Sequence, residues 1–224
     1  MNIPDKYVYL LATVPLFLIW LFLFIKRKDL RREILLIGLL GGIASVLTSY
    51  FWWTKDWWQP LTITGTTVGI EDFITGFTSG GIMAVIYSYV FGKTYKNICP
   101  PPKPVSSFFV LLFLLCLTGY LFSVIGITSF WAITISLVLS IAFIVFVRED
   151  LFYNALFSGL AMMVISILSY LVIMYVSSTW IDNTYLDGLS GLRFLNVPVE
   201  EFIFWFLAGM WAGPFYEYAG GKCY

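Results

Sequence analysis

Val68-Gly69-Ile70-Glu71-Asp72-Phe73-Ile74 returns 129 positions later as Val197-Pro198-Val199-Glu200-Glu201-Phe202-Ile203. Each copy places two carboxylates immediately before an apolar stretch of helix length. The correspondence runs outward in both directions. Downstream, Phe77 answers to Phe206 and Gly80 to Gly209 at the same offset. Upstream, Asp29-Leu30 answers to Asp150-Leu151, Gly38-Leu39 to Gly159-Leu160, Ser45 to Ser166 and Leu47 to Leu168, now 121 apart. A second loop eight residues longer in the second half accounts for the change of offset. Apolar helices align by chance, so the Leu and Gly matches alone are weak. An acid pair recurring at the start of the third helix of each half is not weak, and it implies an internal repeat.

The composition fixes the solvent. Hydrophobic residues make up 60% of the 224-residue chain and charged residues 12%, with a mean hydropathy of +0.88. Soluble domains are about half apolar and a quarter charged. The apolar residues fall in runs of about 20, the length of helix that crosses a bilayer. Spans are expected at Val8–Ile25, Ile34–Trp52, Glu71–Phe91, Phe108–Ile125, Phe130–Val147, Leu151–Val176 and Glu200–Tyr216. Basic Lys26-Arg27-Lys28 follows the first run where a small-residue cleavage site would stand, so that run reads as a retained span and not a signal peptide. The expected fold is an all-α integral membrane protein of about seven transmembrane helices. It comprises a three-helix repeat over 1–92, a linker and connecting helix over 93–126, and a parallel repeat over 127–224; an odd spacer helix keeps both halves in one orientation. Lys96–Pro104, with four prolines, reads as a linker. Ten of the 13 basic residues lie on the side of the loops after spans 1, 3 and 5 and the C-terminus. The expectation is therefore a multi-pass cell-membrane protein with its N-terminus outside and its C-terminus in the cytoplasm.

Several chemistries are excluded. The chain has no histidine, and Cys99, Cys116 and Cys223 show no paired spacing. No zinc, haem or diiron site and no histidine-based triad is expected, and no metal. A net charge of zero offers no surface for nucleic acid. Phosphate loops and dinucleotide fingerprints are missing. What remains is carboxylates, aromatic rings, hydroxyls and backbone.

Glu71, Asp72, Glu200 and Glu201 are the candidate catalytic residues. Acids at helix N-termini are favoured by the dipole and by capping, at about 0.3–1 kcal/mol each, and one pair alone would read as a cap. Two pairs at matched repeat positions and at membrane depth point to function. Helical spacing puts Glu200 on a face with Phe204, Leu207 and Trp211, and Glu201 over Ala208, Gly209, Ala212 and Gly213. Asp72 falls over Gly76, Ser79 and Gly80, and Glu71 over Thr75 and Thr78. Each pair is expected to split, one carboxyl toward a cavity and one toward the partner helix. Trp52, Trp53, Trp57 and Trp58 precede the first pair. Tryptophans there ordinarily anchor the membrane interface, as Phe204 and Trp211 would ordinarily meet lipid. Beside acids, their rings can also stabilise a cation. A desolvated carboxyl pair in an aromatic cavity suits protonation of an alkene and sheltering of the resulting carbocation.

Val197-Pro198-Val199-Glu200-Glu201-Phe202-Ile203-Phe204 resembles the Pro-x-Glu-Glu motif of the membrane lycopene cyclases, both the bacterial two-subunit type and the cyclase domain of fungal bifunctional enzymes. Each half of this chain would correspond to one bacterial subunit, so the resemblance covers nearly the whole length. It implies cofactor-independent, redox-neutral closure of the linear ψ ends of a lycopene-like polyene to ionone rings. Glu200 and Glu201 match the motif, and Glu71 and Asp72 its first-half counterpart. Gly69 departs from the pattern by standing where Pro198 stands, which bears on how the third helix begins. The 224 residues are not expected to include a phytoene synthase domain, so condensation activity is not implied.

Other readings are a transporter or channel with the acids on a proton or cation path, and a carotenoid end-group hydratase that admits water to the same cation. Acids at span ends disfavour the first, since transport sites lie near the midplane. A retinal protein would need a Schiff-base lysine within a span, and all eight lysines fall in loops or tails. A prenyltransferase would need Asp-rich metal motifs, which Asp182, Asp187 and the acid pairs do not form. The expected partners are the polyene and membrane lipid. Ring type, the number of ends closed and oligomeric state, a homo-oligomer included, are left open by the sequence.

Overall fold

The computed structural model describes residues 4–95, 104–177, 179–186, 189–220 and 223. Most of Lys96–Pro104 therefore lies outside the described residues, as does Asp187. The principal helices are α1 (Asp5–Lys26), α2 (Arg31–Thr48), α3 (Ile70–Val90), α4 (Pro104–Tyr120), α5 (Ser129–Val147), α6 (Phe152–Val176), α7 (Val199–Ala212) and α8 (Phe215–Gly220). Helices α2 and α4 each continue through a wide π-helical turn, Ser49–Trp53 and Leu121–Ile125. Among the described residues, six helical stretches are long and apolar enough to cross a membrane: Asp5–Lys26, Lys28–Asp56, Ile70–Val90, Val105–Ile125, Ser129–Val147 and Glu149–Val176. The seventh expected span differs. Helix α7 has 14 residues and stops at Ala212; Gly213-Pro214 interrupts the chain before α8, because proline breaks the backbone ladder. Among the described residues the only sheet is a two-residue hairpin, β1 (Arg193–Phe194) with β2 (Val197–Pro198), directly before α7. Its turn residues Leu195 and Asn196 both have positive φ, 50° and 60°, the backbone of a tight hairpin turn.

The tightest packing joins α2 to α3 and α6 to α7. Small residues allow both. A Cβ on Gly38 would meet the Phe77 carbonyl at 2.8 Å, and one on Gly159 the Phe206 carbonyl at 2.7 Å. A Cβ on Gly80 would meet the Ile37 carbonyl at 2.8 Å, and one on Gly209 the Ser158 carbonyl at 2.7 Å. Backbone approach this close is the small-residue mode of helix association in membranes. Equivalent positions also match at the end away from the acid pairs. Arg27 clasps Asp29 with Nε and Nη2 (3.0 and 2.8 Å), and Arg148 clasps Asp150 in the same way (2.8 and 2.7 Å). Arg27 Nη1 donates to the Ser88 carbonyl and Arg148 Nη1 to the Glu217 carbonyl. Between the halves at this end, buried Glu33 of α2 accepts from Tyr95. Buried Glu217 of α8 accepts from Asn154 of α6 at 3.1 Å and from Tyr95 at 3.5 Å. Helices α3, α6 and α7 meet along the centre of the bundle, which brings the N-termini of α3 and α7 to one end.

Candidate active site

All four acids are buried, at most 5% exposed. The pairs split, and they split alike. Glu71 accepts the Ile63 N–H at 2.6 Å and Glu200 accepts the Ser190 N–H at 2.7 Å, so the first acid of each pair pins the loop before its helix. Neither lines the cavity described below. The second acid of each pair does. Asp72 Oδ1 accepts from Ser49 at 2.8 Å and from Tyr9 at 3.2 Å, while its Oδ2 accepts the Gly69 N–H at 2.9 Å. Glu201 Oε2 accepts from Tyr170 at 2.8 Å. Ser49 and Tyr170 stand 121 apart, so the second helix of each half supplies a hydroxyl to the second acid of the third.

Gly69 and Pro198 account for the one asymmetry. Gly69 has an N–H, and Asp72 closes it as the side chain at position N3 of a capping box closes the cap. Pro198 has none, so Glu201 has no cap to return to. Nor has position 69 space for a ring. A Cβ there would strike the Glu71 carboxylate and lie 2.8 Å from Thr62 Cβ.

Asp72 and Glu201 share an apolar cavity of about 300 Å³ enclosed by α2, α3, α4, α5 and α7. One face of α3 faces it, Asp72, Thr75, Gly76, Ser79, Gly80 and Met83, a run at helical spacing. The facing run on α7 is Glu201, Phe204, Trp205, Ala208, Trp211 and Ala212. This revises the helical-face expectation: Glu201, not Glu200, joins the aromatic stripe, because Phe204 and Trp205 lie three and four residues beyond it. Trp53, Trp57 and Trp58 reach the cavity from the π-helical turn and the residues after it, whereas Trp52 does not line it. The rings interlock edge to face: Trp57 with Phe204 at 5.2 Å between centroids, Trp53 with Phe204 at 5.3 Å and Trp57 with Phe130 at 5.4 Å. Such packing holds ring faces around a common space. Asp56 fixes this turn to the second half by accepting the Ser129 N–H at 2.8 Å. Leu40, Ile43 and Leu47 of α2 and Leu111 and Leu115 of α4 line the cavity as well. Leu40, Ile43 and Leu47 are also exposed on the bundle's outer surface.

A model of the family described as lycopene cyclase matches residues 6–90 and 128–219. The chain belongs to the lycopene cyclase family. It is accordingly a multi-pass membrane protein of carotenoid biosynthesis. The two matched stretches contain both acid pairs and leave out all of α4. No curated protein and no solved structure matches the chain.

Tyr9, Ser49, Tyr170 and Trp205 belong to this candidate site although no motif marks them. Ser49 and Tyr170 carry a signal in retrospect, the 121-residue offset; Tyr9, outside the repeat correspondences, carries none. Tyr185, between α6 and α7, hydrogen-bonds Tyr170 at 2.7 Å. Burial first, then the Glu201 carboxyl, holds its phenol well above the usual range, so it remains protonated at working pH.

Proposed function

We propose that this chain is an intramembrane lycopene cyclase acting by acid–base catalysis without a cofactor. One observation carries the reading: Asp72 and Glu201, from equivalent positions of the two halves, line the same apolar, aromatic cavity. Glu201 stands at the ring cluster, so it is the proton donor to the terminal double bond. The next double bond attacks the cation and closes the ring, with Trp57, Phe204 and Trp205 presenting their faces to the charge. Asp72, across the cavity, removes a proton from the ring, so no atom is gained or lost. Glu71 and Glu200 hold the loops that roof the site. Residues 1–92 and 127–224 are parallel repeats joined by 93–126, and the matched glycine, arginine and carboxylate contacts support this. The acid-bearing end faces the outside.

Expression in lycopene-accumulating cells, with pigment analysis, tests the reading. Cyclised pigment is expected from the wild type and unchanged lycopene from Glu201→Gln. Unchanged lycopene beside well-folded wild type sinks the proposal, and a hydroxylated linear product would mean a hydratase.

A further inference from the structure

A redox-neutral cyclisation leaves a bookkeeping gap in protons. After one turnover the donor has lost a proton and the acceptor has gained one, and both carboxyls are buried in a greasy chamber. The next turnover needs that proton back where it started. The structure offers a path along hydroxyl side chains at the edge of the cavity, Tyr9, Thr75 and Tyr170.

Behind the cavity lies a second, smaller space of about 50 Å³. Tyr9 and Tyr170 both line it, together with Thr75, Ser166 and Ser169. Tyr9 is the phenol that donates to Asp72, and Tyr170 is the phenol that donates to Glu201. Both residues are deeply buried, 3% and 7% exposed. The Thr75 hydroxyl lies within hydrogen-bonding reach of Tyr9 and lines the same space, so a water there would find Thr75, Tyr9 and Tyr170 as polar partners. A water needs roughly 10–15 Å³ of such volume and two to four polar partners, so the space suits a short file of them.

Resting on the cyclase reading, we infer that Tyr9 and Tyr170 form an internal proton return. It runs from Asp72 through Tyr9, the waters beside Thr75 and Tyr170 to Glu201. Each hydroxyl accepts one proton as it gives up another, so Asp72 is left a carboxylate, Glu201 a neutral acid, and every hydroxyl intact. No electron moves and no co-reactant is needed. Tyr9 and Tyr170 are thus relay residues that act through the carboxyls and touch no reacting carbon.

The purified full-length protein in lipid tests this with two readouts. With enzyme in excess over lycopene, Tyr9→Phe and Tyr170→Phe report only the loss of their hydrogen bonds to Asp72 and Glu201. With substrate in excess they should slow by about a further hundredfold, the low end of what a positioned proton-transfer group supplies. Equal loss in both regimes, or no loss in either, overturns the relay. The second readout needs only the wild type. Run in deuterated water over many turnovers, a return path reuses protons taken from substrate, so rings should carry well under one deuterium each. One deuterium per ring would mean that bulk water resets the donor, and the relay is wrong. Absence of any cyclised product from the wild type would instead indict the cyclase reading.

Discussion

Asp72 and Glu201 reach the same cavity from unequal starting points, and the difference comes down to one N–H. Asp72 spends one oxygen on the Gly69 amide; Pro198 offers nothing for Glu201 to cap. The motif's proline therefore releases its acid into the cavity, while the glycine is required by the crowding of Glu71 and Thr62 against its α-carbon. Gly69→Ala should lower stability by about 1–3 kcal/mol, the usual cost of forcing a methyl into a packed site. Thermal unfolding in detergent would show it. Glu201→Gln, which keeps shape and removes the acid, should cut ring formation by about 10²–10⁴-fold while leaving that unfolding temperature nearly unchanged.

The same pairs of helices carry the same kinds of contact, α2 on α3 and α6 on α7, and the glycines set the approach. Gly80→Leu and Gly209→Leu should therefore destabilise by similar amounts, each driving a side chain into a carbonyl 2.7–2.8 Å from where its Cβ must lie. Unequal losses of unfolding temperature would show that the halves are not packed alike. These elements were legible in the sequence because their signals are local. Apolar runs of membrane length gave the spans, and the recurring acid pairs gave the third helix of each half. Less legible was which acid faces inward, since at a helix's first turn the loop ahead competes for the side chain. Ile63 and Ser190, eight and ten residues upstream, win Glu71 and Glu200 by backbone hydrogen bonds that no helical wheel contains. Tyr9 was invisible for a similar reason: it reaches Asp72 across 63 residues of chain. The break at Gly213-Pro214 was written plainly, but the apolar run through it reads as one span.

The halves of the whole bundle are tied at the end away from the acid pairs by Glu33, Tyr95, Asn154 and Glu217. Glu217→Ala removes the acceptor of the Asn154 amide and should cost about 1–3 kcal/mol, the penalty for leaving a buried donor unmet, with no change in product. Orientation is checkable as well: a reporter fused to the N-terminus should be exposed outside the cell and one at the C-terminus inside. The cavity's α2 wall belongs to this scale too. Ala44→Trp, at the cavity's α2 wall, should lower kcat/KM for lycopene while leaving the fold intact, measured by initial rates and unfolding temperature. On the cyclase proposal, a polyene with two reactive tips would meet one cavity that both acids share. While one tip is inside, the rest of the hydrocarbon would stay outside it, and the far tip would wait its turn. Finishing both requires the half-finished pigment to back out, turn end for end in the bilayer and return. Monocyclic pigment should consequently build up early in a time course and drain away late.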